Sequence, residues 1–124
     1  MPHRRVRIIA GGVNVTATLN DSVIAGMVWD ALPYEAPVGT WGDEIYFTIP
    51  VESDEEQDVE VAEMGAVTYW PSGSALCLFF GLTPMSRGDE IRPMSAVNVL
   101  GSVDDDPTIL KQVNSGDTII VEAI

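Results

Sequence analysis

One cysteine, one histidine and one lysine occur among 124 residues, and each scarcity closes off a class of chemistry. A lone Cys77 rules out a disulfide within the chain. With His3 as the sole imidazole, a Ser-His-Asp triad, a Cys-His pair and a multi-histidine zinc centre are disfavoured together. His3 itself sits beside the first residue, where fraying works against the geometry of a base or a metal ligand. Long apolar segments are also missing. The longest uninterrupted run is Ala75 to Phe80, far short of the roughly 20 residues that span a bilayer. Met1-Pro2-His3-Arg4-Arg5 leads into a β-type run and not into a signal-type apolar segment, so the expected location is the cytoplasm.

Basic residues are scarce as a group. Six Lys plus Arg stand against 19 Asp plus Glu, for a net charge of −13. Such a surface repels phosphate backbones, which argues against nucleic acid as a partner. The deficit falls mainly on lysine, which fits either an ordinary acidic, soluble protein or one adapted to a salt-rich cytosol, where a Debye length of about 3 Å at molar salt screens the self-repulsion. In the second case the unfolding midpoint is expected to climb from low to molar KCl; a flat profile would remove it.

What is present is a hydrophobic set of 46%, 8 Pro and 11 Gly, a balance that fits one compact domain spanning 1–124. Arg5–Ala10 and Val13–Leu19 are β-leaning runs around Gly11-Gly12, a glycine pair suited to a tight hairpin. Asn20-Asp21-Ser22 offers N-caps to a short amphipathic helix carrying Ile24, Met27, Val28 and Ala31 and ending at Pro33. Val38–Trp41 and Glu44–Ile49 flank Gly42-Asp43 as a second hairpin. Glu52–Asp58 is nearly all acid and serine, a solvated loop, and without a glycine it is a weak calcium site. No metal and no cofactor is expected.

Val59–Val61, Ala66–Trp70 and Ser74–Phe80 continue the β pattern, and Leu76-Cys77-Leu78-Phe79-Phe80 is apolar on both strand faces, as in a strand covered on both sides. Burial there makes Cys77 a packing residue and not a nucleophile. Pro84, Gly88 and Pro93 make 81–95 a long ordered loop, a place where function often resides. Ala96–Val103 is a further strand. Asp104-Asp105-Asp106 and Pro107 open a second short helix over Thr108–Val113, and Asp117–Ala123 closes the domain as a strand. About eight strands and two short helices point to a mainly β, closed or nearly closed barrel.

The strings Gly42-Asp43-Glu44-Ile45-Tyr46-Phe47, Tyr69-Trp70-Pro71, Leu76-Cys77-Leu78-Phe79-Phe80-Gly81, Thr83-Pro84-Met85-Ser86 and Asn98-Val99-Leu100-Gly101 carry a resemblance. Together they resemble the small prokaryotic cyclophilin-like family. The resemblance implies a closed eight-stranded barrel with two short helices covering its ends. True cyclophilins are peptidyl-prolyl isomerases, in which an arginine on a Phe-His-Arg-Ile-Ile-Pro-like strand weakens amide conjugation. The matching stretch here is Ile45-Tyr46-Phe47-Thr48-Ile49-Pro50, so Phe47 stands at the arginine's position and the guanidinium's fork of donors is missing.

The chemical candidates then reduce to an aromatic and methionine set, Trp41, Tyr46, Phe47, Tyr69, Phe79, Phe80 and Met85, with Thr83 in the loop beside it. Part of this set must be core, and alternation puts Phe79 and Phe80 on opposite faces, so at most one of the two lines a given cleft. The remainder suffices for a concave apolar surface. Arg87 and Arg92 border it and are suited to an anion, unless each pairs with Asp89 or Glu90. The neighbouring acids Asp43-Glu44 and Asp89-Glu90 point to opposite strand faces or sit in turns, as solvated charges. The leading expectation is a barrel that binds a small molecule or an extended peptide in an aromatic cleft, with no arginine-based isomerisation. A weak prolyl isomerase and a protein-interaction or assembly module are the alternatives; the oligomeric state is left open.

Overall fold

A computed structural model describes residues 4–53 and 59–124. His3 and most of the acidic 52–58 stretch lie outside the described residues. Among the described residues, nine strands form one antiparallel sheet: β1 (Arg4–Ala10), β2 (Val13–Leu19), β3 (Tyr34–Pro37), β4 (Gly39–Thr40), β5 (Glu44–Thr48), β6 (Ala66–Trp70), β7 (Ala75–Phe79), β8 (Asn98–Val103) and β9 (Thr118–Ala123). Their hydrogen-bonding order is β3-β9-β1-β2-β8-β6-β7-β5-β4. The two outermost strands, β3 and β4, are joined in the chain through Val38 alone. One short stretch thus pairs first with β9 and then with β5, and the sheet curls into a nearly closed barrel. Val38 sits at this seam, its N–H bonded to the Asp117 carbonyl at 2.9 Å. The set of strands differs from the expected one at two places: the expected Val59–Val61 strand is reduced to an isolated bridge from Val59 to Val97, and Tyr34–Pro37 pairs as a strand of its own. Two prolines, Pro33 and Pro37, bracket it, and a Tyr-Glu-Ala-Pro segment carries no β pattern; a strand that hydrogen-bonds along one side only tolerates proline.

Alternation builds the interior. Val6, Ile8 and Ala10 of β1, Val13, Val15, Ala17 and Leu19 of β2, and Ile45 and Phe47 of β5 meet Val67, Tyr69, Leu76 and Leu78 in one core. The helix α1 (Val23–Asp30) starts after Ser22, whose hydroxyl accepts from the Ala25 N–H, and it packs Ile24, Ala25 and Val28 inward. Tyr34 Oη ties it to the wall by donating to the Val28 carbonyl at 2.7 Å. A short 3₁₀ helix (Pro107–Gln112), capped by Asp106, adds Leu110. α1 follows the end of β2, and the 3₁₀ helix follows the end of the antiparallel neighbour β8; the two therefore sit at opposite rims. Among the described residues, no helix is long and apolar enough to cross a membrane.

Close approach of β2 and β8 depends on Gly101, where a Cβ would run into the Thr18 carbonyl. Next to it the β6–β8 register slips, Val67 facing Gly101 and Thr68 facing Val99, so Leu100 is an extra residue whose side chain is fully buried in the core.

An aromatic cleft on the outer wall

β7 is buried along its whole length. Its inner face belongs to the barrel core, while Cys77 and Phe79 on the outer face join Ala62, Ala66, Ile91 and Trp70 in a second apolar cluster. That cluster exists because the 81–97 segment folds back over the wall. Ala62 bridges to Ile91 and Val59 to Val97, Trp70 Nε1 donates to Ser95 Oγ at 2.6 Å, and the Thr83 hydroxyl donates to the Arg92 carbonyl. The Ser86 hydroxyl pins the same loop by accepting from the Thr83 N–H at 2.9 Å.

At the edge of this cover lies an apolar cleft of about 160 Å³, lined by Trp41, Glu44, Tyr46, Trp70, Cys77, Pro93, Met94 and Val97. Strand alternation selects its floor: Glu44 and Tyr46 project outward from β5 between the inward Ile45 and Phe47, and Cys77 projects outward from β7 between Leu76 and Leu78. The Trp41–Glu44 turn is closed by the Trp41 N–H on the Glu44 carbonyl at 3.0 Å. Gly42 (φ +61°) lets this turn dock on the covering loop, since a Cβ there would stand 2.8 Å from the Leu82 carbonyl oxygen. Backbone bonds from Asp43 N–H to Leu82 O (2.8 Å) and from Phe80 N–H to Asp43 O (2.9 Å) fix the two segments together.

Glu44 is the unusual member, a carboxyl only 5% exposed on an apolar floor. Burial pushes its pKa up to about 7, with a hydrogen bond from the Cys77 thiol pulling the other way. The same burial, followed by the charge and hydrogen bonding of Glu44, raises the Cys77 thiol well above its ordinary value, so the sulfur stays protonated and serves as a donor. Thr68 lies beside it on the next strand, its hydroxyl donating to the Cys77 carbonyl at 3.1 Å.

The sequence-derived candidates divide between cleft, core and loop. Trp41 and Tyr46 line the cleft, Tyr46 being 40% exposed. Phe47, Tyr69 and Phe80 lie in the barrel core, and the Tyr69 hydroxyl donates to the Val51 carbonyl at 2.8 Å. Phe79 is in the outer cluster beneath the covering loop, on the face opposite Phe80 as alternation requires. Thr83 braces that loop, Met85 is half exposed, Arg87 is exposed, and Arg92 Nε pairs with Glu90 at 2.9 Å. Asp43 is a surface acid with Lys111 3.6 Å away, as expected of a solvated pair member, but its neighbour Glu44 is buried. From the sequence, Glu44 reads as solvated, because the loop that covers it has no periodic pattern. Trp70, Pro93, Met94 and Val97 are further lining residues that carry no such signal in the sequence. The available signal for Glu44 and Tyr46 was their shared phase on β5, one acid and one aromatic on the face opposite Ile45 and Phe47.

A cyclophilin-like barrel with a cleft on its outer wall is the class this architecture defines, and the Cyclophilin-like family pattern matches residues 4–122. The chain belongs to that family. It is similar to a hypothetical protein from Archaeoglobus fulgidus, solved in solution, with 39% identity, a TM-score of 0.82, and coverage of 98% of this chain and 95% of that one. No match was found among curated proteins.

Proposed function

We propose that the cleft binds a small molecule or an extended peptide segment, without the arginine-assisted prolyl isomerisation of true cyclophilins. The observation that carries this reading is a concave, largely apolar site of about 160 Å³ in which Trp41, Tyr46 and Trp70 line the same cleft as one buried carboxyl group. Ligand sites have this composition, apolar walls with a few placed polar groups, and the small volume suits a compact ligand or one side chain of an extended one. Isomerisation by the cyclophilin route needs a guanidinium aimed at the substrate amide, and no arginine is among the cleft-lining residues. Arg92 is engaged by Glu90, and Arg87 lies exposed on the covering loop.

A proline-isomerisation assay with Xaa-Pro peptides, run at low and high salt, should show no acceleration by the protein. Arg87→Ala and Arg92→Ala should behave as the parent does. Titration with apolar probes should perturb tryptophan fluorescence, and Trp41→Ala should weaken that binding about tenfold, the loss of one aromatic wall. Robust isomerase activity abolished by either arginine substitution would replace this reading with that of a weak isomerase.

A further inference from the structure

Glu44 poses a question that the apolar walls do not answer. A buried carboxylate is costly unless it is paired. Among the described residues, the four ion pairs join Arg5 to Asp104, Arg7 to Glu122, Arg92 to Glu90 and Lys111 to Asp43, and Glu44 is in none of them. Its partner inside the protein is the neutral Cys77 thiol. The rings around it have electron-rich faces, which attract cations most strongly when water is excluded.

We propose that the natural occupant of the cleft is a small organic ammonium compound, its cationic head packed against Trp41, Tyr46 and Trp70 with Glu44 as counter-charge. The inference rests on the reading of this cleft as a ligand site and specifies its ligand class. Two competing classes fit less well. An anion would meet an unscreened carboxylate on a protein of net charge −13. A bare metal ion would find one carboxylate among apolar side chains, whereas calcium takes six to eight oxygen ligands and magnesium an octahedron. The cleft, about 160 Å³, matches a compact ammonium compound, and a peptide-borne ammonium head is left as an outcome of the test.

Binding of such a cation couples to protonation. Beside Glu44 the cleft sets the Cys77 thiol from β7 and Tyr46 of its own strand; its chain neighbour Asp43 pairs with Lys111, and Arg92, next to the lining Pro93, pairs with Glu90. Glu44 lies near neutrality when the cleft is empty, so ammonium binding expels its proton and weakens roughly tenfold for each unit below about pH 7.

The test compares choline with its neutral carbon isostere, 3,3-dimethylbutan-1-ol, by tryptophan fluorescence titration of the full chain and of Glu44→Gln at about pH 8 and about pH 5.5. Choline is expected to bind at least tenfold tighter than the isostere at the higher pH, and to lose that preference at the lower pH and in the variant. Thermal unfolding of Glu44→Gln confirms that the variant is folded. Equal binding of the two probes, or a choline preference that survives Glu44→Gln, overturns the ammonium assignment while leaving the cleft a ligand site. Failure of both to bind, while the apolar probes of the preceding titration do bind, overturns the ammonium assignment alone; failure of all of them overturns the ligand-site reading as well. A trimethyllysine peptide that binds more than tenfold tighter than choline overturns the small-molecule assignment.

Discussion

Phe47→Ala should lower the unfolding free energy by roughly 3–5 kcal/mol, the usual cost of truncating a buried aromatic to alanine. Phe47 is 2% exposed, sits opposite Leu76 in the β5–β7 register and faces the barrel interior. Domains of this size have roughly 5–15 kcal/mol in all, so the variant should sit close to its unfolding threshold. Urea denaturation with an unchanged slope and a lower midpoint is the expected result; a loss below about 1 kcal/mol would mean that the ring does not fill the core. The direction of this side chain matters for function. The resemblance to cyclophilins sets Phe47 against the isomerase arginine, yet on this strand Phe47 looks inward and the cleft lies on the other face, with Glu44 and Tyr46. Phe47→Arg should therefore unfold the barrel by burying an unpaired guanidinium, and should not create an isomerase.

How far the architecture could be read from the chain follows from where local signals were strong. The Gly11-Gly12 hairpin, the Ser22-capped helix, the Gly42-Asp43 turn and the doubly covered β7 all rest on short-range chemistry, and each forms where the residues indicate. The β3 strand rests on long-range pairing with β9, which no feature of Tyr34–Pro37 announces. The second helix is tighter than expected, a 3₁₀ helix, with Pro107 opening it and the Asp106 side chain accepting from the Thr108 N–H at 3.0 Å. The cleft shows the same division more sharply. Trp41 and Tyr46 could be named from composition and strand phase. Glu44, Trp70 and Met94 could not, because their surroundings are made by a loop whose course depends on single contacts such as Trp70 to Ser95 and Thr83 to Arg92. An acid beside another acid in a turn carries the signature of a solvated pair. Only the fold separates Asp43, near Lys111 at the surface, from Glu44, turned onto the apolar floor.

That separation has a measurable consequence in the empty protein: Glu44→Gln should raise stability by about 2 kcal/mol at about pH 8 and leave it nearly unchanged near pH 4. The sign follows from proton binding. The Glu44 pKa is about 7 in the folded chain against an ordinary 4.5. Between those values the folded state holds a proton that the unfolded state has released, so the unfolding free energy falls as pH climbs through this window and levels off above it. The full displacement corresponds to roughly 3 kcal/mol, and the opening of the cleft to water reduces it to about 2. Glutamine keeps the shape of the side chain, accepts from the Cys77 thiol through its carbonyl and carries no charge to desolvate, so its stability should not follow this part of the pH curve. Urea midpoints for both proteins at the two pH values decide the matter. Curves that stay parallel across the window would show that Glu44 is solvated when folded. Curves that diverge would show that the empty barrel carries an unfavourable buried charge at neutral pH, which a bound cation would relieve; ligand binding would then raise the stability of the parent well above that of the variant.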